Sequence, residues 1–151
     1  MEFTIFLKVL LGAFLGSVIG FEREISHKVA GLRTHALVCL ASALLTAVSA
    51  DGLGQYVGNS SYDPSRIVSN IIVGIGFIGA GAILRQGSRV QGTTTAASLW
   101  AVAAIGITVG LGFYLDAVLV TATVYLVLRL LWVIEHKIRS SIKLKEGDPN
   151  Q

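Results

Sequence analysis

Long apolar runs recur along this chain, and short polar stretches interrupt them. Phe3–Phe21, Thr34–Ala50 and Ile67–Leu84 are each close to the length that crosses a bilayer, which is about 20 mostly apolar residues. Thr93–Ile134 is apolar for 42 residues. As one helix it would be about 63 Å long at ~1.5 Å per residue, roughly twice the hydrocarbon thickness. It must therefore fold back. Gly106, Gly110 and Gly112 punctuate its middle, and Tyr114 and Asp116 follow. A tight turn near Gly110–Tyr114 divides it in two. The pattern predicts an all-α membrane bundle of five transmembrane helices, with spans near 3–21, 34–50, 67–84, 93–109 and 115–134.

The basic residues give this bundle an orientation. Arg23, Lys28 and Arg33 lie between spans 1 and 2, Arg85 and Arg89 lie between spans 3 and 4, and Lys137, Arg139, Lys143 and Lys145 lie after span 5. The loop between spans 2 and 3 holds only Arg66, and the turn between spans 4 and 5 holds none. The positive-inside rule assigns the nine to the cytoplasm. The N-terminus is then outside and the C-terminus inside, as an odd number of spans requires. Trp132 near the inner end, and Tyr56 and Tyr62 outside, suit aromatic belts. Lys8 and Arg129 lie within spans and are expected to snorkel toward the nearer surface. Residues 1–135 form the membrane domain on this reading, and 136–151 a short basic cytoplasmic tail. Met1–Phe21 has no basic stretch before its apolar run and no evident cleavage site, so it reads as a span rather than a leader.

Composition agrees. Of 151 residues 14% are charged and the mean hydropathy is +0.71, whereas a soluble domain carries about 25% charged residues. The net charge of +3 is modest. No dense basic patch is interleaved with aromatics, which argues against nucleic-acid binding. Cys39 is the single cysteine, so an intramolecular disulfide and paired-cysteine metal or redox motifs are excluded. It is expected to pack as a small apolar side chain. Asn59-Ser60-Ser61 fits a glycosylation acceptor, a short pattern common by chance.

The polar exceptions are the candidates for function. Glu22, Arg23, Glu24, Arg33, Thr34 and His35 cluster at the cytoplasmic surface. They read either as a solvated rim that fixes topology, or as a polar network closing the bundle around a cation or lipid headgroup. Magnesium prefers carboxylates and retained waters, so Glu22 is eligible. Glu24 lies about 200° around the helix from it, which disfavours a shared ion. His35 reads as a hydrogen-bonding residue at a helix end. At the outer start of span 3, Asp63 suits an N-cap and Pro64 the first helical position. Asp63 could instead pair with Arg66 or gather cations, and is the second weak magnesium candidate. Asn70 follows on the same span. Thr93, Thr94 and Thr95 open span 4, where their hydroxyls can cap exposed amides or the helix end can favour an anion. Gly12, Gly16 and Gly20 lie four apart on one face of span 1, and span 3 holds Gly74, Gly76, Gly79 and Gly81; both sets permit close helix packing within the chain or between chains. Gly74–Gly79 also fits a dinucleotide-loop pattern, but the strand and soluble context that pattern needs are missing. No catalytic triad, Cys-His pair or zinc-protease motif is visible, so an enzyme is not expected. A lipid-headgroup enzyme at Glu22, Arg33 and His35 is the minor alternative.

Four ordered blocks carry a resemblance. They are Gly16-Ser17-Val18-Ile19-Gly20-Phe21-Glu22-Arg23-Glu24, then Ala30-Gly31-Leu32-Arg33-Thr34-His35-Ala36-Leu37-Val38, then Arg66 with Gly74-Ile75-Gly76-Phe77-Ile78-Gly79-Ala80-Gly81, and Thr95-Ala96-Ala97-Ser98-Leu99-Trp100. In this order the chain resembles the MgtC/SapB family of bacterial inner-membrane proteins, over about residues 12–113. The resemblance implies a multi-pass inner-membrane protein associated with magnesium limitation and, in pathogens, with virulence inside host cells. It implies modulation of other membrane proteins, with magnesium transport as the alternative. Thr94 stands where some relatives carry Asn. Many members bear a soluble C-terminal domain, which this sequence is expected to lack. The expected surroundings are the lipid bilayer and either a membrane-protein partner or further copies of the chain. No cofactor is required, although magnesium is a possible ligand.

Overall fold

The computed structural model describes residues 2–52, 63, 65–86 and 88–146. Tyr56, Tyr62, Asn59-Ser60-Ser61 and Pro64 lie outside the described residues. Helix α1 runs Glu2–Ile25 and α2 runs Leu32–Ala47, continued by a π-helical turn at Val48–Gly52. Helix α3 covers Ser65–Gly81, α4 Thr93–Gly110 and α5 Tyr114–Glu146. Four segments are long and apolar enough to cross a membrane: Phe3–Ile25, Leu32–Asp51, Thr93–Gly110 and Tyr114–Glu135. Helix α3 is apolar but has 17 residues, about 26 Å at ~1.5 Å per residue.

One boundary differs from the sequence expectation. The third apolar run ends as helix at Gly81, not at residue 84, and the connection folds into an antiparallel hairpin. Its strands β1, Leu84–Gln86, and β2, Arg89–Gln91, pair with Arg85 opposite Val90. The basic segment after Glu135 does not leave the helix, since α5 continues to Glu146. Lys, Arg, Glu and Leu are good helix formers even where the apolar stripe has ended.

Helix α4 is the centre of the bundle. Ten of its residues, from Thr95 to Gly110, are buried. One core layer joins Leu15 and Ile19 of α1, Cys39 and Ala43 of α2, Val102, Ile105 and Val109 of α4 and Ala117 of α5. A second joins Ala30, Ile75, Ala82, Leu99 and Ala103. Small residues let these backbones meet. A Cβ on Gly16 would stand 2.6 Å from the His35 carbonyl oxygen, and one on Gly106 would overlap the Cys39 carbonyl. Cys39 is fully buried here. The turn between α4 and α5 falls where the glycines placed it, with Gly112 at φ +90°, a conformation costly to residues bearing a Cβ.

Helix α3 sits apart. Only Ile75 and Gly79 of it are buried, while Val73 and Phe77 stand 74% and 86% exposed. An open apolar groove of about 490 Å³ separates it from α2, with Asn70 and Ser42 as its polar lining.

Candidate functional site

At the end of the bundle where α1 stops, α2 begins and α4 begins, the predicted polar cluster is partly drawn inward. Glu22 and Arg23 are 3% and 1% exposed. Arg23 donates from Nε to Glu22 Oε2. The Ser26 hydroxyl donates to Glu22 Oε1 at 2.8 Å. Two buried charges at a membrane boundary hold only if they neutralise each other and fill their hydrogen bonds, and here the neighbour in sequence does it. Both Glu22 oxygens are thereby engaged.

Glu24 faces elsewhere, as its helical angle from Glu22 required. Its Oε2 accepts from the Leu32 amide at 3.0 Å and so caps α2 from α1. A Cβ on Gly31 would collide with that oxygen. Gly31 also lends its carbonyl to His35 Nδ1 at 2.9 Å. A carbonyl only accepts, so Nδ1 carries a proton. His35 Nε2 lies 2.9 Å from Ser98 Oγ, and that hydroxyl lies 2.9 Å from the Thr95 carbonyl. His35 is wholly buried and pins α2 to α4. Arg33 is exposed and Thr34 half-buried beside Glu24; neither joins the Glu22–Arg23 pair. Ser98 is the member that reasoning from side-chain chemistry passed over. A serine three residues after Thr95 in an apolar run was its only signal.

The cap position of α4 is Gly92, in the left-handed region at φ +89°, one residue before the three threonines. The Ala82 carbonyl occupies the space a Cβ would need there. Thr95 is buried, and Thr93 and Thr94 are exposed.

The opposite end of the bundle holds an ion pair the sequence did not announce. Lys8 does not snorkel. It is 6% exposed, pairs with Asp51 and donates to the Gly110 carbonyl at 2.9 Å. One side chain thus ties α1, the π-helical turn and the end of α4. Arg129 does remain exposed, with its guanidinium 5.9 Å from the Trp132 ring centroid, a cation–π contact.

Asp63 acts as a cap. Its Oδ1 accepts from the Ser65 amide at 2.9 Å. The Ser65 side chain first, and then that amide, hold its carboxyl below the usual carboxylate range; the nearby charge of Arg66 adds to this. Asp63 and Glu22 are not brought together. Gly79, near the far end of α3, rests against Ala96 of α4, which puts Asp63 about 25 Å away along the helix axis. Among the described residues no group of three His, Cys, Asp or Glu side chains could hold a metal ion.

The glycines divide sharply. Gly12, Gly16 and Gly20 press against Ala43, Cys39 and Leu32 of α2. Gly79 makes ordinary contact with Ala96, whereas among the described residues nothing lies within 4 Å of a Cβ at Gly74, Gly76 or Gly81. Packing among the described residues therefore does not account for those three. Gly106 and Gly110, which the sequence offered only as turn markers, are close-packing residues against Cys39 and Thr46.

Residues 9–137 match the MgtC family. The chain belongs to that family. It is 44% identical over 119 residues to "Protein MgtC" of Brucella abortus (strain 2308), covering 78% of this chain and 47% of that one. It is 40% identical over 121 residues to "Protein MgtC" of Salmonella typhimurium, covering 80% and 49%. Over 110 residues it is 43% identical to "Putative magnesium transporter YhiD" of Escherichia coli K12, covering 72% and 51%. The chain spans about half the length of these curated relatives. No solved structure matches it. Family membership and four membrane-length helices make this a multi-pass membrane protein.

Proposed function

We propose that this MgtC-family chain serves magnesium homeostasis, in adaptation to low magnesium, by modulating other membrane proteins through helix contacts. The observation that carries the reading is α3. Among the described residues nothing lies within 4 Å of where a Cβ would stand on Gly74, Gly76 or Gly81, and Gly74 opens on the groove toward α2. Glycine on a membrane helix lets another backbone approach closely, and it contributes nothing to lipid contact that a larger residue would not supply better. A partner helix, or a second copy of the chain, fits such a surface. The proposed frame is the bacterial inner membrane, crossed five times with α3 included, N-terminus outside and C-terminus in the cytoplasm.

The second reading is magnesium transport, favoured by the name of the Escherichia coli relative, "Putative magnesium transporter YhiD". The disposition of charge weighs against it. Membrane carboxylates that mark ion paths commonly face a water-filled interior, whereas Glu22 and Asp51 are each engaged by a cation of the same chain. Among the described residues no catalytic constellation supports an enzyme.

Two measurements separate the readings. Purified protein in liposomes should show no magnesium flux above empty vesicles; flux abolished by Glu22→Gln would overturn the modulator reading. A stoichiometric membrane partner should copurify with the parent chain and be lost with Gly76→Leu, while the variant retains its thermal unfolding midpoint. Retention of that partner by Gly76→Leu would remove α3 as the contact surface.

A further inference from the structure

A second pocket opens beside the Glu22–Arg23 pair, between α1, the start of α4 and the lower half of α5. It encloses about 270 Å³, and Arg23, Lys28, Thr94, Leu128, Trp132 and Glu135 line it. Its composition is amphipathic. One wall carries Arg23, Lys28 and Thr94, and the other is α5, apolar except for Glu135.

Three features of this pocket point to an anion. Arg23 is 1% exposed, and its Nε is used by Glu22 while its Nη1 has no hydrogen-bond partner among the described residues. A buried guanidinium nitrogen left unmatched is costly unless a ligand completes it. The first amides of α4 have no carbonyl four residues earlier to bond, its N-cap Gly92 has no side chain to offer them, and its positive end favours negative charge. Lys28 contributes a second cation from an exposed position. Its backbone is fixed by donating to the Arg23 carbonyl at 3.0 Å. Two carboxylates stand close by: Glu22 offsets the Arg23 charge through Nε and Glu135 lines the same pocket. An anion is therefore drawn by the unmatched Nη1, by Lys28 and by the helix end rather than by a net positive wall.

We propose that the pocket formed by Arg23, Lys28, Thr94 and the N-terminus of α4 binds a phosphoryl anion, with Trp132 and Leu128 packing against the apolar part of whatever carries it. The source is either the headgroup of an anionic phospholipid or a free phosphate. Arginine and a helix N-terminus suit either, since both offer donors to non-bridging phosphate oxygens. The site stands at one membrane surface whichever compartment that surface faces, and it does not depend on the modulator reading.

Trp132 supplies the readout. Trp100→Phe leaves it as the single tryptophan. This protein is reconstituted in phosphatidylcholine vesicles containing an increasing fraction of phosphatidylglycerol, and separately titrated with inorganic phosphate in phosphatidylcholine alone. A saturable change in Trp132 emission with phosphatidylglycerol only identifies a lipid headgroup. A change with phosphate only identifies a free anion, and a change with both leaves the phosphoryl class confirmed. In each case Lys28→Gln should weaken the half-saturation point about tenfold, as expected for loss of one charge-assisted hydrogen bond. Arg85→Gln, which removes a cation of the hairpin outside the pocket, should not change it. Arg23→Gln should abolish the response; should that variant fail to fold, Lys28→Gln decides the matter alone. No response to either titrant sinks the proposal, and so does equal weakening by Lys28→Gln and Arg85→Gln, which would reveal only general attraction to a charged surface.

Discussion

At the scale of single residues, the glycines carry opposite expectations. Alanine at Gly16 would place its Cβ 2.6 Å from both the Cys39 Cβ and the His35 carbonyl oxygen, so α1 and α2 must separate. Overpacking of this kind costs typically ~1–3 kcal/mol, and Gly16→Ala should lower the unfolding midpoint in detergent. Gly74→Ala meets nothing within 4 Å and replaces the residue of greater backbone entropy. It should be neutral or stabilising by up to ~1 kcal/mol. Equal loss at both positions would contradict the packing described. Asp63 gives a pH expectation. Its carboxyl is held below its ordinary value by Ser65, so the cap is present above the unfolded pKa of ~3.9 and lost as pH falls through the lower, folded value. An NMR titration of the Ser65 amide should therefore move below pH 3.9, and a midpoint above that value would refute the cap. How much of this was legible varied with the kind of residue. The spacing of Gly12, Gly16 and Gly20 named a packing face correctly, because period four fixes a face whatever the partner. For Gly74, Gly76 and Gly81 the sequence left packing within the chain and between chains open, since a glycine shows that close approach is possible and not which helix makes it.

At the scale of elements, the Lys8–Asp51 pair is the joint to test. It fastens α1 to the π-helical turn, and through the Gly110 carbonyl to α4. Lys8→Met strands a carboxylate that is 38% exposed, so water softens the loss below the ~3–5 kcal/mol of a fully buried broken pair. A destabilisation of about 1–3 kcal/mol is expected. Asp51→Leu leaves the ammonium of Lys8 buried and should cost at least as much. The double variant should recover part of the sum, and strict additivity in the unfolding cycle would show that the two side chains do not couple. The pair was illegible in the sequence because its members are 43 residues apart and their meeting depends on the rotation of two helices. The helices themselves were legible, since apolar length alone dictates a span. The hairpin was not, because strands of three residues present no alternation long enough to read. His35 was read rightly as a helix-end hydrogen bonder, whereas its partner Ser98 on α4 came only from the folded arrangement.

At the scale of the whole molecule, the arrangement of the ends constrains topology before any membrane is considered. Lys8 of α1, Asp51 after α2 and Gly110 of α4 meet at one end, while Glu24 meets Leu32 and Gly79 meets Ala96 at the other. Successive elements therefore alternate direction, and the start of α1 and the lower part of α5 lie at opposite ends. The end that gathers Arg23, Lys28, Arg33 and Arg85 should face the cytoplasm, because loop cations resist translocation. Cysteine labelling tests this directly. Cys39 is buried, and Cys39→Ala provides a silent background. In intact cells, Ser88→Cys on the hairpin should react only with a reagent that crosses the membrane, and Glu2→Cys should also react with one that does not. After lysis both should react alike. The reverse pattern would invert the bundle and place the Arg23 pocket at the outer surface. Protection of both positions in intact cells would put the two ends in one compartment, which five alternating helices forbid, and α3 would then have to be a helix that enters the lipid without crossing it. Its 17 residues, short for a span and covered over so little of their surface, make it the one element whose path through the bilayer this experiment decides.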